Sequence, residues 1–174
     1  MVEKGNIKLA DFGLARKPPF VLWDPVPLTL IVASLWYRAP ELLLGANIYD
    51  YGIDIWGAGC CAYEMATGKI LFSGECEIAC LFKMFKKLGT PAKEDTGELL
   101  IYSEKWPKWN KQKSLKAFKE EIPGRSAKEK TIFFDVIIKC LEFNRKNRIS
   151  ASMALELLSE LNHRLIFPKR SVSI

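Results

Sequence analysis

The sequence DIWGAGCCAYEMAT, residues 54–67, carries the clearest helix signal in the chain. Apolar or small side chains occupy nearly every direction around its axis, so the pattern predicts a helix that is buried on all sides. Asp54 is placed to cap the start of this helix, and Gly68 is placed to end it. We therefore expect a mainly helical domain in which this segment is a core helix.

Residues 75–88 predict a second, amphipathic helix that Gly89 and Pro91 end. Its apolar face is formed by Ile78, Leu81, Phe82, Phe85 and Leu88. Residues 91–124 are rich in Lys and Trp but show weak periodicity, so we expect them to be mostly loop.

The C-terminal part of the chain predicts two further helices, residues 133–143 and residues 151–161. Ser150 is a candidate N-cap for the second of these, because its hydroxyl can accept a hydrogen bond from a backbone N–H of the first helical turn. The apolar stripe of that helix contains Met153, Ala154, Leu157, Leu158 and Leu161.

Residues 6–10 alternate polar and apolar side chains and then meet Asp11 and Gly13, which predicts a short strand ending in a turn. Only a few residues precede this strand, so we expect it to lack most of a hairpin partner and to lower the solubility of the chain. Residues 17–27 contain four prolines and are predicted to form an extended loop.

The composition is that of one globular domain, with 174 residues of which 49% are hydrophobic and 26% charged. The formal net charge of +6 is compatible with a nucleic-acid partner, but no long run of like charge occurs, so a solvated basic surface is the better interpretation. No signal peptide and no membrane-spanning stretch are recognised, so we expect no membrane partner and a cytoplasmic or nuclear location.

Five cysteines are an odd number, so a complete disulfide framework is not expected. Zinc sites usually need four Cys or His ligands, and the single His163 together with these cysteines does not give a zinc-site spacing. Buried, reduced thiols are the better interpretation.

Four features follow one another along the chain in a fixed order. They are DFG at residues 11–13, WYRAPE at 36–41, DIWGAGC at 54–60, and Arg148 between the two late helices. A single match would be weak, but four ordered matches in fitting structural contexts resemble the signature set of the protein kinases. The resemblance implies the fold of a kinase C-terminal lobe: mainly α, with a remnant β-hairpin strand and without the N-terminal lobe.

Further stretches resemble the cyclin-dependent serine/threonine protein kinases, in the group that also includes the mitogen-activated protein kinases. They are LADFGLAR at residues 9–16, LWYRAPE at 35–41, LFSG at 71–74, Glu77-Ile78, LGTP at 88–91 and NRKNRISA at 144–151. Mitogen-activated protein kinases carry Thr-x-Tyr in the activation lip, where this chain has Thr29-Leu30-Ile31. The implied boundaries are 1–167 for a partial kinase domain, with its activation segment at 11–41 and its helical core at 42–161, and 168–174 for a C-terminal tail.

The resemblance implies roles for three residues of the activation segment. Asp11 would hold the Mg²⁺ that bridges the phosphates of ATP. Thr29 matches the threonine that activating kinases phosphorylate, and Arg16 matches one of the arginines that bind the resulting phosphate. An unmodified hydroxyl at Thr29 stays an alternative, because its neighbours are more apolar than the family pattern.

Three other residues match positions that shape a substrate pocket in this family. They are Val32, Ala33 and Arg38. The pocket receives the residue after the target Ser or Thr and accepts proline, so the resemblance implies a proline-directed substrate.

The remaining matches have structural roles in the family. Glu41 and Arg148 would form a buried ion pair that pins the activation segment to the helical core. Asp54 would anchor the core to the backbone of the catalytic loop.

The parts of a kinase that perform the chemistry are not recognised in this sequence. A kinase needs a Gly-rich loop, a strand Lys paired with a helix Glu, and the His-Arg-Asp-x-x-x-x-Asn catalytic loop. No His-Arg-Asp occurs, and the only Gly-x-Gly, at residues 57–59, lies in the core helix. We therefore expect no catalytic base in this chain, no binding of ATP and Mg²⁺ by the chain alone, and no activity by itself.

Two interpretations of the function remain open. In the first, these residues belong to a longer, active serine/threonine kinase with a cyclin-like regulatory subunit and protein substrates. In the second, the short chain is a non-catalytic binding module for a cyclin-like or substrate protein, which it contacts through the activation segment and the basic helix around residues 83–87. A nucleic-acid surface is a remoter third interpretation, because the kinase pattern already accounts for the tryptophans.

Overall fold

The computed structural model describes residues 2–3, 6–15, 33–46, 50–96, 103–124 and 126–159. A two-stranded hairpin precedes the helices in this part of the chain, with β1 at Val2–Glu3 and β2 at Asn6–Ile7. The helices are α1 Pro40–Leu43, α2 Gly52–Thr67, α3 Glu77–Leu88, α4 Lys111–Glu121, α5 Ala127–Cys140 and α6 Ala151–Ser159. Short 3-10 turns lie at Leu35–Tyr37, Glu94–Thr96 and Arg145–Asn147. The predicted mainly α fold class is confirmed.

Helix α2 lies in the core and packs against α5. Its Trp56 is fully buried and stacks on Phe72, with ring centroids 5.7 Å apart. The prediction of burial on all sides is wrong, because one stripe of the helix is exposed. The exposed stripe consists of Asp54, Ala58, Cys61 and Met65. None of the described elements covers this stripe, although its side chains are mostly small or apolar.

The prediction for α2 is wrong at the start of the helix and confirmed at its end. The helix begins at Gly52 rather than Asp54, and the carboxylate of Asp50 accepts a hydrogen bond from the Gly52 backbone N–H at 2.8 Å. Asp54 therefore lies inside the first turn, where a negative charge still complements the helix dipole. Gly68 ends the helix as predicted: it adopts a left-handed φ of 71° and donates its N–H to the carbonyl of Glu64.

Helix α3 confirms the predicted amphipathic segment, with its start two residues later than expected. Leu81, Phe85 and Leu88 are buried in the core, whereas Ile78 is 64% exposed and does not belong to the buried face. Gly89 ends the helix at a φ of 89°, and its N–H donates to the carbonyl of Phe85. The helix is therefore held on one face only, as its sequence pattern requires.

Helix α4 overturns the prediction that residues 91–124 are mostly loop. The Asn110 side chain accepts a hydrogen bond from the backbone N–H of Lys113 at 3.0 Å and so caps the helix start. Phe118 is the one α4 residue that is fully buried. A single buried side chain gives little apolar periodicity, and the exposed surface of α4 is rich in Lys. The sequence pattern therefore does not predict this helix.

Helix α5 begins six residues before the predicted start, at Ala127, and ends at Cys140. The hydroxyl of Ser126 accepts from the N–H of Glu129 at 3.1 Å, which is the cap that fixes this earlier start. Burial within the helix begins with Phe134, so the apolar pattern identifies only its second half.

Helix α6 begins where the sequence predicts, and the Ser150 hydroxyl accepts from the N–H of Met153 at 3.2 Å. Ala154, Leu157 and Leu158 pack against a small cluster on α5 and the following turn. Met153 is 58% exposed and leaves the predicted stripe, and Leu161 lies outside the described residues.

The N-terminal strand has only a two-residue partner, as the predicted remnant hairpin requires. β2 pairs antiparallel with β1, with Val2 opposite Ile7 and Glu3 opposite Asn6. The pairing is two residues long, so residues 8–10 continue as irregular chain instead of strand. Residues 8–15 are all exposed.

Candidate functional site

A buried ion pair joins α1 to the segment before α6. Nη1 and Nη2 of Arg148 each donate to one carboxylate oxygen of Glu41, both at 2.5 Å, and the two residues are 8% and 2% exposed. The guanidinium also lies over the ring of Trp56, 5.2 Å from its centroid. The resemblance to kinases implied this pair, and the structure brings the two residues together although they are 107 positions apart.

Backbone carbonyls complete the surroundings of Arg148. Its Nε donates to the carbonyl of Glu142 at 2.8 Å, and Nη1 donates to that of Gly52 at 2.9 Å. A charge that is buried but fully hydrogen-bonded is tolerated, whereas removing one partner leaves the other uncompensated. The arrangement fixes the start of α1 against α2 and the 144–150 turn.

The segment before α1 is held in an unusual backbone conformation. Ala33 has a φ of 63°, in the left-handed region that a residue with a Cβ rarely adopts. Its carbonyl accepts a hydrogen bond from Nη2 of Arg38 at 3.3 Å. Val32, the third residue of the predicted pocket, lies outside the described residues.

Arg38 and Trp36 tie this segment to the region around the start of α3. Nη1 of Arg38 forms an ion pair with Oε1 of Glu77 at 2.8 Å, and Arg38 itself is only 7% exposed. The indole Nε1 of Trp36 donates to the carbonyl of Gly74 at 2.8 Å. In the sequence, Glu77 was noted only as part of the Glu77-Ile78 match to the cyclin-dependent kinases. That match does not predict its contact with Arg38.

Two tyrosine–glutamate hydrogen bonds were also missed by sequence analysis. Tyr37 donates to Oε2 of Glu64 at 2.5 Å, and this hydrogen bond, with a smaller contribution from burial, raises the pKa of Tyr37 to about 12. Tyr63 donates to Oε2 of Glu121 at 2.7 Å, and burial followed by that hydrogen bond raises the pKa of Tyr63 to about 12. Both contacts join residues distant in sequence, so no local pattern announces them.

Asp11 is exposed to solvent, unlike the buried Glu41 and Arg148. Its φ is 64°, its side chain is exposed, and its Oδ1 is 3.4 Å from the backbone nitrogen of Gly13, which donates to it. The described residues contain no group of three or more His, Cys, Asp or Glu side chains that could hold a metal. A lone carboxylate still fits Mg²⁺, since that ion is commonly held by one or two carboxylates together with water and substrate phosphates.

The other predicted site residues are placed as follows. Asp54 is exposed in the first turn of α2, and its carboxylate has no hydrogen bond or ion pair with the residues that the structure describes. Arg16 and Thr29 lie outside those residues. The structure therefore brings together Ala33 with Arg38 and Glu41 with Arg148, and leaves Asp11 apart from both.

All five cysteines are free. Cys60, Cys80 and Cys140 are buried as predicted, and burial raises the pKa of Cys140 to about 11. The prediction of buried thiols is wrong for Cys61 and Cys76, which are exposed. Over the described ranges, no helix has the length and apolar character needed to cross a membrane.

Comparison with known proteins identifies the family. The model of the protein kinase domain matches residues 1–158. The serine/threonine-protein kinase ppk23 of Schizosaccharomyces pombe is 42% identical over 158 residues, which cover 90% of this chain and 38% of that protein. This chain thus corresponds to well under half of the length of that relative. It belongs to the protein kinase family.

Proposed function

We propose that this chain is the helical lobe of a cyclin-dependent-type, proline-directed serine/threonine kinase. Its part in the reaction is to present the substrate-docking end of the activation segment. The observation that carries the proposal is the left-handed Ala33, whose carbonyl accepts a hydrogen bond from Arg38. A carbonyl engaged in this way is a poor acceptor for the backbone N–H of a bound peptide. Proline has no backbone N–H and loses nothing there.

The metal and nucleotide in this proposal are Mg²⁺ and ATP. Mg²⁺ supplies neutralisation of the phosphate charge when it is bound, and Asp11 is the residue that would hold it. Asp11 is exposed and therefore accessible to a phosphate-bound ion.

The 174 residues are proposed to be catalytically incomplete. No His-Arg-Asp occurs in the sequence, so the base that accepts the proton of the substrate hydroxyl is not supplied. A positioned base typically contributes about 10²- to 10⁴-fold to the rate. We therefore assign to this chain the docking of substrate and not the transfer of phosphate.

Regulation in this proposal acts on the activation segment, residues 11–41 of a kinase domain spanning residues 1–167. Phosphate on Thr29 would pair with Arg16 and order the loop. The buried Glu41–Arg148 pair would give that loop a fixed end, because it holds α1 against the helical core. The exposed carboxylate of Asp54 would be available to the backbone of a catalytic loop.

The partners in this proposal are protein substrates with Ser-Pro or Thr-Pro sites and a cyclin-like regulatory subunit, in the cytoplasm or nucleus. The alternative is a non-catalytic binding module that uses the same docking surface without any kinase reaction. The two differ in the transcript: an in-frame His-Arg-Asp-x-x-x-x-Asn upstream of Met1 supports the kinase, and a stop codon directly upstream supports the module.

Peptide binding tests the docking assignment. Fluorescence anisotropy with the purified chain would compare two labelled peptides that differ only in having Pro or Ala after the target Ser. The proposal predicts tighter binding of the Ser-Pro peptide. Equal affinity for the two peptides, or no binding of either, would contradict it.

A further inference from the structure

Glu77 contacts the proposed docking segment, residues 33–38, but does not belong to it. It is the first residue of α3, and its Oε1 accepts from Nη1 of Arg38 at 2.8 Å. The other terminal nitrogen of Arg38, Nη2, donates to the carbonyl of Ala33 at 3.3 Å. A guanidinium is a rigid planar fork, so an acceptor that fixes one of its nitrogens also orients the other.

The hydrogen bond to Ala33 is the weaker arm of this arrangement. A separation of 3.3 Å is beyond the usual range for such bonds, so its geometry depends on how the guanidinium is oriented. The left-handed backbone of Ala33 is itself unfavourable for a residue with a Cβ and persists only where its surroundings hold it. Support for Arg38 is therefore support for the Ala33 conformation.

The side chains of Arg38 and Glu77 differ in their exposure to solvent. The Arg38 side chain is 9% exposed, whereas that of Glu77 is 55% exposed. The carboxylate thus approaches a buried cation from the solvent side, and its replacement leaves no cavity in the core. Trp36, bonded to the carbonyl of Gly74, holds the same segment through a second contact.

We propose that Glu77 is a positioning residue for proline selectivity: it orients Arg38, which keeps the Ala33 carbonyl engaged and closed to a substrate N–H. This inference rests on the proposed docking function. It adds a residue of α3, outside the activation segment, to the determinants of the position after the target Ser or Thr.

The primary variant is Glu77→Ala, compared with Glu77→Gln, whose amide oxygen still accepts from Arg38. The matched control is Glu75→Ala. Glu75 is exposed, lies outside α3, and its carboxylate has no hydrogen bond or ion pair within the described part of the chain. Glu77→Lys is a second disrupting variant with the same prediction, should the alanine variant fail to fold.

Two readouts apply to each variant. The first is the ratio of affinities for the Ser-Pro and Ser-Ala peptides; we expect it to fall about fivefold in Glu77→Ala, to recover largely in Glu77→Gln, and to stay unchanged in Glu75→Ala. The second is the three-bond coupling between the amide and α protons of Ala33, which reports its φ by NMR without any peptide. It should change in Glu77→Ala alone among these three variants.

The outcomes separate the inference from the function on which it rests. A selective wild-type chain with an equally selective Glu77→Ala variant overturns the role of Glu77 and leaves the docking function in place. A wild-type chain without selectivity overturns the docking function and the inference with it. An Ala33 coupling that does not respond to Glu77→Ala contradicts the role of Glu77 whatever the peptides do.

Discussion

The two ends of the proposed activation segment, residues 11–41, differ in how firmly the rest of the molecule holds them. At the first end, Asp11 lies in a run, residues 8–15, that is exposed throughout. At the other end, four residues between positions 36 and 41 form long-range hydrogen bonds with the rest of the molecule. These are Trp36 to Gly74, Tyr37 to Glu64, Arg38 to Glu77, and Glu41 to Arg148.

In the proposed function, this difference separates substrate docking from phosphate transfer. The end that would select the substrate is shaped by contacts within the helical lobe, so the lobe can keep that shape by itself. The end that would hold the metal is instead exposed at every residue from 8 to 15. The proposed roles therefore rest on different surroundings at the two ends: Ala33, proposed for docking, lies in a segment tied to the helices, and Asp11, proposed as the metal ligand, is exposed.

The largest expected effect comes from breaking the buried ion pair. Arg148→Met leaves the Glu41 carboxylate buried without its partner and should lower the free energy of unfolding by about 3–5 kcal/mol. Urea unfolding followed by circular dichroism measures the loss.

The control for that variant is the partly exposed pair between Arg145 and Asp50, at 3.2 Å. Arg145→Ala should lower the free energy of unfolding by about 1 kcal/mol or less, because solvent screens such pairs. Equal losses in the two variants would show that burial of the Glu41–Arg148 pair does not distinguish it.

A smaller, pH-dependent effect is expected at Tyr63, in the core. Its pKa in the folded chain is raised to about 12, above the value of about 10 for an unfolded chain. The stabilisation is therefore complete below pH 10 and is lost as the pH rises toward 12. Tyr63→Phe should cost about 1 kcal/mol at pH 8 through the lost hydrogen bond and should show a flatter decline between pH 10 and pH 12.

Urea unfolding of both proteins from pH 8 to pH 12 measures this difference. Tyr51→Phe is the control, since Tyr51 is 64% exposed. A decline for Tyr63→Phe as steep as that of the wild-type chain would contradict the role of Tyr63.

The smallest expected effect is at the exposed end. Asp11→Asn should change the free energy of unfolding by less than about 0.5 kcal/mol, because the side chain is exposed and Asn tolerates a left-handed φ. Thermal melting of the two proteins tests this directly. A loss as large as that of Arg148→Met would mean that the core does hold this end.

Sequence patterns predicted the elements whose burial is periodic. Helix α3 shows a clear apolar face, and Ser150 marks the start of α6. Helix α4 was not predicted because Phe118 is its only fully buried residue. The first half of α5 was not predicted because burial in that helix begins at Phe134. Prediction therefore succeeded where several apolar side chains share the face of a helix that packs against the rest of the molecule.

The contacts of the candidate site could be predicted only for residues that match a family motif. Glu41 and Arg148 were paired through the resemblance to kinases, and the structure brings them into contact. The contacts of Glu77, Glu64 and Glu121 depend on tertiary packing between distant segments, and a carboxylate on a helix surface has the same local pattern whether or not a partner reaches it. Such partners become visible only when the helices are assembled.

The separation of docking from phosphate transfer is tested by a phosphoryl-transfer assay on the purified chain with labelled ATP, Mg²⁺ and a Ser-Pro peptide. We expect the chain to bind the peptide in preference to its Ser-Ala counterpart and to transfer no phosphate to it. Transfer that disappears in Asp11→Asn would show that the chain performs the chemistry by itself and that docking and transfer are not separated.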